Sequence, residues 1–320
     1  MISRARIFAS VAALLALLLG AAIVVWSSVV FLDRSLPTDA VQVVIPRGSS
    51  FADIASLLQE RGIIANALAF RVLARLQHDD TDVRAGAYAF APHATAAEIL
   101  NQLRTGGAQV ATWVTIPEGF TARQIAQRLQ DEGLGKAGAY ARAFRGHEGF
   151  LFPSTYLIPL AATPAQVTHM LTDQFAKELP ANASQRAHAL HVSVPQAVTV
   201  ASLVEREAKI EQDRPMIAGV IYNRLRQGMP LQVDATIEYA LPAHKTELSL
   251  RDLQLDSPYN TYQHEGLPPT PIANPGLPSL EAALNPAKTD ALYYVYCGNG
   301  HHVFAKTLAE HQANVERCLH

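Results

Sequence analysis

Two glutamates in one amphipathic stretch are the residues of this chain whose type and spacing could support acid–base chemistry. They are Glu205 and Glu207, and the stretch runs from Gln196 to Ile210. Its apolar residues recur at helical spacing, which predicts a helix with one hydrophobic face. That face carries three aliphatic side chains, Val200, Leu203 and Val204. Glu207 follows Val200 by seven residues and is therefore placed on the same face.

This position predicts an unusual carboxyl group for Glu207. Apolar surroundings disfavour the charged form of a carboxylic acid, so its pKa should rise. A carboxyl that keeps its proton near neutral pH can donate it to a leaving group. The alternative is that the helix turns Glu207 to its rim, where water solvates it. Glu205 is placed on another face of the helix. It precedes Lys209 by four residues, and a glutamate followed by a lysine at this spacing favours a solvated surface ion pair.

The composition and charge of the chain exclude several classes of function. Its 320 residues are enough for two domains and a tail. The formal charge is −2, and no Lys/Arg-rich run indicates a nucleic-acid partner. The chain has two cysteines, Cys297 and Cys318. Its histidines and carboxylates do not occur at the spacings typical of metal ligands. We therefore expect neither a metal nor another cofactor. Whether the two cysteines form a disulfide stays open.

The N-terminal segment has the character of a membrane anchor. Residues 7–32 contain no charged side chain. This uncharged segment is longer than the roughly 20 apolar residues that a helix needs to cross a bilayer. Arg4 and Arg6 precede this segment and predict a cytoplasmic tail at residues 1–6. We therefore expect a single-pass helix in the cell inner membrane, a tether at residues 33–40 and extracytoplasmic domains beyond it. A cleaved signal peptide is the alternative, disfavoured by the length of the apolar run.

A strand–turn–helix pattern occurs twice in residues 41–136. The sequence Ile45-Pro46-Arg47-Gly48 is similar to Ile116-Pro117-Glu118-Gly119. The apolar residues and glycines that follow the two sequences also match, at the same offset along the chain. Two copies are too few for a solenoid and indicate paired modules in a small α+β region. These modules resemble LysM-type units, which bind glycan. A spacer that binds nothing is the alternative.

Residues 137–320 are predicted to form a second, mixed α/β domain. Its most unusual segment runs from Asp256 to Pro286 and contains seven prolines, a density that indicates a long irregular loop with a stiff backbone. The loop also carries apolar and aromatic anchors, which argue against disorder. It is therefore predicted to form one wall of a cleft that faces Glu207.

Several ordered motifs in the chain resemble those of the endolytic murein transglycosylases, the MltG (YceG-like) family. The glutamate motif is matched at residues 201–207, and the long loop gives the most specific match, from Asp256-Ser257-Pro258-Tyr259-Asn260-Thr261-Tyr262 to Asn274-Pro275-Gly276. Further matches are Tyr222-Asn223-Arg224-Leu225, Leu231-Gln232-Val233-Asp234, Glu148-Gly149-Phe150-Leu151-Phe152-Pro153 and Thr307-Leu308-Ala309-Glu310-His311. The resemblance implies an α+β protein with an N-terminal transmembrane helix, a LysM-like subdomain and a catalytic domain.

The resemblance also implies an activity and a set of site residues. Members cleave peptidoglycan glycan strands internally and leave 1,6-anhydro-muramic acid ends, with the second glutamate of the Glu-x-Glu pair, here Glu207, as the catalytic residue. Peptidoglycan synthases are the expected protein partners. Substrate contacts are expected from five residues, Gln232, Asp234, Tyr259, Asn260 and Tyr262, and supporting roles from Glu148 and Glu205.

Two other functions stay open on the sequence. One is a hydrolase in which Glu207 works with a second carboxylate, Asp234 or Glu148, to activate water. The other is a non-catalytic cell-wall scaffold, in which the LysM-like region binds glycan and the C-terminal domain binds proteins.

Overall fold

The computed structural model describes residues 40–77, 83–92, 94–242, 245, 248–298 and 301–319, together with residue 20. These residues form two compact units of a mixed α+β protein. One unit comprises the described residues up to 114 and Leu157–Ala161, and the other comprises Thr115–Tyr156 and the described residues from 162 onwards. The domain boundary predicted between residues 136 and 137 stays a prediction.

The first unit is built on a four-stranded sheet with the order β1-β2-β3-β4. Its strands are β1 (Val41–Ile45), β2 (Gly86–Phe90), β3 (Gln109–Thr115) and β4 (Thr155–Pro159). Three helices belong to this unit, α1 (Phe51–Glu60), α2 (Ala67–Gln77) and α3 (Ala96–Thr105). Their apolar faces bury a core that includes Ile45, Leu58, Phe70, Tyr88 and Leu100.

The second unit contains most of the helices. They are α4 (Ala122–Asp131), α5 (Ala137–Ala143), α6 (Pro164–Glu178), α7 (Ala183–Ala189), α8 (Val194–Glu207), α9 (Arg214–Arg226), α10 (Asp234–Ala240), α11 (Leu277–Leu284) and α12 (Leu308–Leu319). A two-stranded antiparallel sheet of β5 (Tyr293–Tyr296) and β6 (His302–Ala305) precedes α12. Two short 3-10 turns complete the unit, Glu211–Asp213 and Asp252–Gln254.

Helix α8 runs through the core of this second unit. Eight consecutive residues, 197–204, are buried, because the helix packs against α9, α10 and α11. Ser193 caps its first turn by accepting a hydrogen bond from the backbone N–H of Gln196, and Pro195 occupies a first-turn position that needs no intrahelical donor. The predicted burial of Val200, Leu203 and Val204 is confirmed, but the residues between them are buried as well, so this part of the helix is enclosed on all sides rather than on one face.

The repeated strand–turn–helix unit is confirmed. Gly48 and Gly119 occupy the two equivalent turns with φ of 77° and 75°, a left-handed conformation that a residue without Cβ adopts freely. Ser50 and Thr121 then cap α1 and α4 with the same reciprocal hydrogen bonds, each formed with the residue three positions later. The sequence repeat is therefore a repeat of local structure.

Three sequence expectations about the elements were wrong. Helix α8 ends at Glu207 rather than continuing to Ile210, because Ala208 takes an extended conformation. Residues 234–240, for which the sequence pattern predicted no helix, form helix α10. The proline-rich segment was expected to be irregular throughout, yet it contains α11, where Pro278 stands in the first turn and removes no helical hydrogen bond.

The predicted membrane helix at residues 7–32 lies outside the described residues, apart from residue 20. Within the described part of the chain, no single helix has the length and apolar character needed to span a bilayer. The bent pair Ala183–Ala189 and Val194–Glu207 meets those criteria jointly, with an angle of 85° between its helices.

Candidate active site

Glu207 stands at the mouth of a polar cleft in the second unit. As the last residue of α8, it lies where the helix leaves the core, and its side chain is half-buried. The hydroxyl of Tyr294, on β5, donates a hydrogen bond of 3.1 Å to Oε2 of Glu207. The cleft has a volume of about 500 Å³, and its other lining residues include Gln232, Asp234, Tyr262 and Tyr294.

The surroundings of Glu207 bring the pKa of its carboxyl group close to neutral pH. Burial raises the pKa of Glu207 to about 7, and the nearby negative charge of Asp234 adds to the increase. The hydrogen bond from Tyr294 acts in the opposite direction, because it stabilises the carboxylate. Glu207 can therefore donate a proton and take it back within the neutral range. The predicted rise in its pKa is confirmed.

Asp234 and Tyr262 form a second polar pair in the cleft. The hydroxyl of Tyr262 donates a hydrogen bond of 2.5 Å to Oδ1 of Asp234, which begins helix α10. Gln232, two residues earlier, is exposed and has a positive φ of 52°. Together with Glu207, these are the predicted site residues that the fold brings into one cleft.

Arg224 of helix α9 holds the floor of the cleft together. Its guanidinium donates hydrogen bonds to the carbonyl oxygens of Leu292 at 2.6 Å and Leu231 at 2.8 Å. These carbonyls precede β5 and the Gln232 segment, so one side chain fixes the positions of two walls. The same guanidinium lies 5.1 Å from the ring centroid of Tyr293.

Glu205 occupies a different environment from the one predicted. It was expected to be solvated and paired with Lys209, yet its side chain is only 6% exposed and pairs with Arg214 at 3.1 Å. Its other oxygen accepts a hydrogen bond from the backbone N–H of Gly276 at 3.0 Å. The reason is that α8 ends at Glu207, which removes the helical register that would bring Lys209 beside Glu205. The placement of the two glutamates on different faces is correct.

The proline-rich loop approaches the cleft through Tyr262 and is anchored by its neighbours. The backbone carbonyl of Thr261 accepts a hydrogen bond from the backbone N–H of Gln232 at 3.0 Å. The hydroxyl of Thr261 accepts one from the backbone N–H of Val233, also at 3.0 Å. Asn260, expected to contact substrate, is fully buried, and its amide donates to the carbonyls of Leu253 and Leu255. Asn260 therefore shapes the loop that presents Tyr262.

Tyr259 and Glu148 line a second cavity instead of the Glu207 cleft. The hydroxyl of Tyr259 bonds with that of Thr270 at 2.8 Å. Glu148 accepts three hydrogen bonds, from the backbone N–H of Ala122 at 2.9 Å, the amide of Asn274 at 3.0 Å and the hydroxyl of Tyr239 at 3.1 Å. Burial raises the pKa of Glu148 to about 7.

The sequence matches the model of the YceG-like family over residues 43–317. The chain belongs to the YceG-like family. A yceG-like protein from Listeria monocytogenes, whose crystal structure was determined at 2.6 Å, has 33% sequence identity and a TM-score of 0.61; the match covers 87% of this chain and 99% of that one.

Two curated relatives carry the name endolytic murein transglycosylase. The protein of Bacillus subtilis (strain 168) is 35% identical over 87% of this chain and 85% of its own length. That of Streptococcus pneumoniae (strain D39) is 32% identical over 89% of this chain and 60% of its own length. The chain is thus similar to most of the first protein and to about three fifths of the second.

Sequence reasoning did not single out several residues that line the cleft of this YceG-like protein. They are Arg224, Glu238, Tyr294, Tyr296, His302 and His311. Arg224 and His311 lay within motifs noted for their resemblance, which was the signal available for them. Tyr294 lies on strand β5, and a strand pattern does not identify the partner of its hydroxyl group.

Among the described residues, the side chains that could bind a metal ion do not form a cluster. No group of three or more His, Cys, Asp or Glu side chains among them is arranged to hold an ion. Asp213 and His302, which are distant in sequence, form a buried pair. One carboxylate oxygen of Asp213 accepts a hydrogen bond from the backbone N–H of His302 at 2.7 Å. The same oxygen lies 3.0 Å from Nδ1 of the His302 ring. This contact fixes the start of β6 beside the cleft.

Proposed function

We propose that this protein is a peptidoglycan lytic transglycosylase that cleaves the bond between N-acetylmuramic acid and N-acetylglucosamine within glycan strands. The observation that carries the proposal is one half-buried carboxyl group, that of Glu207, with a pKa of about 7 in a polar cleft. The relatives from Bacillus and Streptococcus, named endolytic murein transglycosylases, support the same reaction.

One carboxyl group is sufficient for this reaction because its two proton transfers run in opposite directions. Protonated Glu207 donates its proton to the glycosidic oxygen as the bond from that oxygen to C1 of the muramic acid breaks. The resulting Glu207 carboxylate then takes the proton of the C6 hydroxyl as its oxygen bonds to C1. The products are a 1,6-anhydro-muramic acid end and a strand that begins with a free glucosamine C4 hydroxyl, and no water is consumed.

The neighbours of Glu207 assist different parts of the cycle. Tyr294 stabilises the carboxylate that exists between the two proton transfers, because its hydroxyl donates to Oε2. Asp234 supplies negative charge beside the cation-like centre that develops at C1. Tyr262 fixes the orientation of Asp234 through their hydrogen bond, and the exposed amide of Gln232 is available to sugar hydroxyl groups.

A muramidase-type hydrolase is the second candidate, because Asp234 shares the cleft with Glu207 and could activate water. Glu148 is less suited to that role, since it lines another cavity and already accepts three hydrogen bonds. Mass spectrometry of digested peptidoglycan separates the two mechanisms. We expect anhydro ends and no incorporation of ¹⁸O from labelled water, whereas reducing ends carrying ¹⁸O would refute the transglycosylase mechanism.

We also propose a cellular setting for the reaction. Residues 7–32 anchor the protein in the inner membrane as a single-pass helix, with its domains on the extracytoplasmic side. The LysM-like region binds glycan, and the enzyme acts beside peptidoglycan synthases, where cleavage terminates nascent strands. Protease accessibility in spheroplasts tests the topology, and a full-length product of unchanged mass separates an anchor from a cleaved signal peptide.

A purely structural role in the cell wall predicts a different result. A scaffold would bind purified peptidoglycan and release no soluble fragments from it. The raised pKa of Glu207 in an open polar cleft favours catalysis over this alternative, because a scaffold gains nothing from a carboxyl group that titrates near pH 7.

A further inference from the structure

A second cavity lies at the opposite end of helix α8 from Glu207. Its volume is about 750 Å³, and its lining residues include Pro195 and Thr199 from the first turns of that helix. Thr199 and Pro195 precede Glu207 by eight and twelve residues, which corresponds to roughly 12–18 Å along the helix axis. The cavity is therefore too distant for its contents to touch the carboxyl group of Glu207.

A smaller depression shares lining residues with both this cavity and the cleft. Its volume is about 220 Å³. It shares Tyr239 with the cavity, and it shares Arg206, Ala235 and Glu238 with the Glu207 cleft. The ion pair between Arg206 and Glu238, at 2.9 Å, crosses this shared stretch. The three depressions are thus neighbours that share lining residues in the second unit, and together they are called the groove.

The cavity combines aromatic surface with a few fixed polar groups. The rings of Tyr239 and Tyr259 lie 4.9 Å apart at its wall, and Phe150 adds a third ring. Glu148 holds the hydroxyl of Tyr239, which fixes the direction of that ring. Amphipathic rings of this kind suit a sugar, which presents apolar C–H faces and a rim of hydroxyl groups.

Another part of the cavity wall has a stiff backbone. It consists of the segment from Gly266 to Pro271, in which Pro268, Pro269 and Pro271 fix the backbone angles. This wall is tied to α8, since the backbone N–H of Ile272 donates to the hydroxyl of Ser202 at 3.1 Å. A preformed cavity loses little conformational entropy when it is filled.

We propose that this cavity is a distal binding site for the glycan strand that is cut at Glu207. The inference rests on the proposed function, since the occupant is the continuation of the substrate. A strand held in the whole groove places several sugars on one side of the reacting bond. Efficient cleavage then requires a long strand, and the cut falls within the strand rather than at its last sugar.

Ala141 allows the cavity to be filled without disturbing the core. It is exposed on helix α5 and lines the cavity, so Ala141→Trp places an indole in the groove. Arg142→Trp is the matched control, because Arg142 is the exposed neighbour on the same helix. Thermal melting of the two variants checks that both remain folded.

The experiment compares kcat/KM on peptide-free glycan strands of defined length, using the full chain. For Ala141→Trp we expect a loss of at least about tenfold on long strands and no change on the shortest strand that the wild type cleaves. Arg142→Trp should retain the wild-type length dependence. Equal length dependence in Ala141→Trp and the wild type would overturn the proposal.

Two further results have distinct meanings. A defect of Ala141→Trp that appears only on strands carrying stem peptides would assign the cavity to the peptide and overturn the glycan proposal. Wild-type levels of cleavage by Glu207→Gln would instead refute the proposed function. The distal site and the catalytic assignment can therefore fail separately.

Discussion

Tyr294 and Glu207 are 87 residues apart in the sequence and are joined by a hydrogen bond of 3.1 Å from the tyrosine hydroxyl to Oε2 of the carboxyl group. The contact links the short C-terminal sheet to the end of the central helix α8. It places one donor on a carboxyl group whose pKa is about 7, because burial raises this pKa and the hydrogen bond from Tyr294 lowers it in part. The catalytic assignment and the pH dependence of this protein both depend on this relationship.

Replacement of Tyr294 by phenylalanine should change the pH profile of cleavage. The hydrogen bond from Tyr294 lowers the pKa of Glu207, so its removal raises that pKa further. We expect the alkaline limb of kcat/KM to move to higher pH, together with a fall in kcat. Tyr293→Phe is the control, because it retains the ring beneath Arg224 and should leave the limb in place. An unchanged limb in Tyr294→Phe would remove Tyr294 from the mechanism.

The two glutamates of α8 should respond differently to replacement by glutamine. Glu207→Gln removes the acid and base of the reaction, so activity should fall by about 10²–10⁴-fold or more. Glu205→Gln disturbs a buried ion pair with Arg214, and the free energy of unfolding should fall by about 1–3 kcal/mol while the folded enzyme still cleaves.

Release of anhydro-muropeptides and urea denaturation, measured on both variants, check this prediction. An inactive but stable Glu205→Gln beside an active Glu207→Gln would show that the roles are reversed. Loss of folding in Glu207→Gln would identify that residue as structural.

The free energy of unfolding should depend on the ionisation of Glu207. Its pKa in the folded protein is about 7, above the ordinary value of 4.5. The folded state therefore binds more protons than the unfolded state between these values, and the stability that Glu207 contributes below pH 4.5 is lost as the pH rises to 7. Glu207→Gln should thus become more stable relative to the wild type from pH 4.5 to 7, with a constant difference above that range.

Denaturation midpoints at pH 4, 5.5 and 8 measure this difference. Glu148→Gln offers a comparison, since the pKa of Glu148 is also about 7 but its carboxyl accepts three hydrogen bonds. In that variant one side-chain oxygen can still accept from Ala122 and Asn274, but the amide nitrogen cannot accept from the hydroxyl of Tyr239. We therefore expect a loss of stability above pH 7, where the wild-type carboxylate accepts all three hydrogen bonds. A stability difference for Glu207→Gln that does not vary with pH would contradict the buried state of its carboxyl group.

The disulfide between Cys297 and Cys318 should stabilise the C-terminal sheet and helix α12. It spans a separation of 21 residues, and closure of a loop of this size contributes about 3 kcal/mol. We expect the double variant Cys297→Ser/Cys318→Ser to melt at a lower temperature and to lose activity first on warming, because β5 carries Tyr294. A reductant should lower the melting temperature of the wild type and leave that of the double variant unchanged.

The sequence by itself determined many of the local elements of this protein and the place of Glu207 on its helix. The spacing of Val200, Leu203 and Val204 placed Glu207 on the apolar face of a helix, and the matching glycine turns predicted the repeated module. These inferences succeeded because helical periodicity, capping and left-handed turns depend on residues only a few positions apart.

The tertiary structure decided which side chains meet. Glu205 pairs with Arg214 because α8 ends at Glu207, and the amide of the buried Asn260 donates to the carbonyls of Leu253 and Leu255, which precede the proline-rich loop. Tyr294 reaches Glu207 from a strand near the end of the chain. No local pattern encodes such contacts, since they depend on how separate elements pack, and that packing sets the burial which raises the pKa of Glu207.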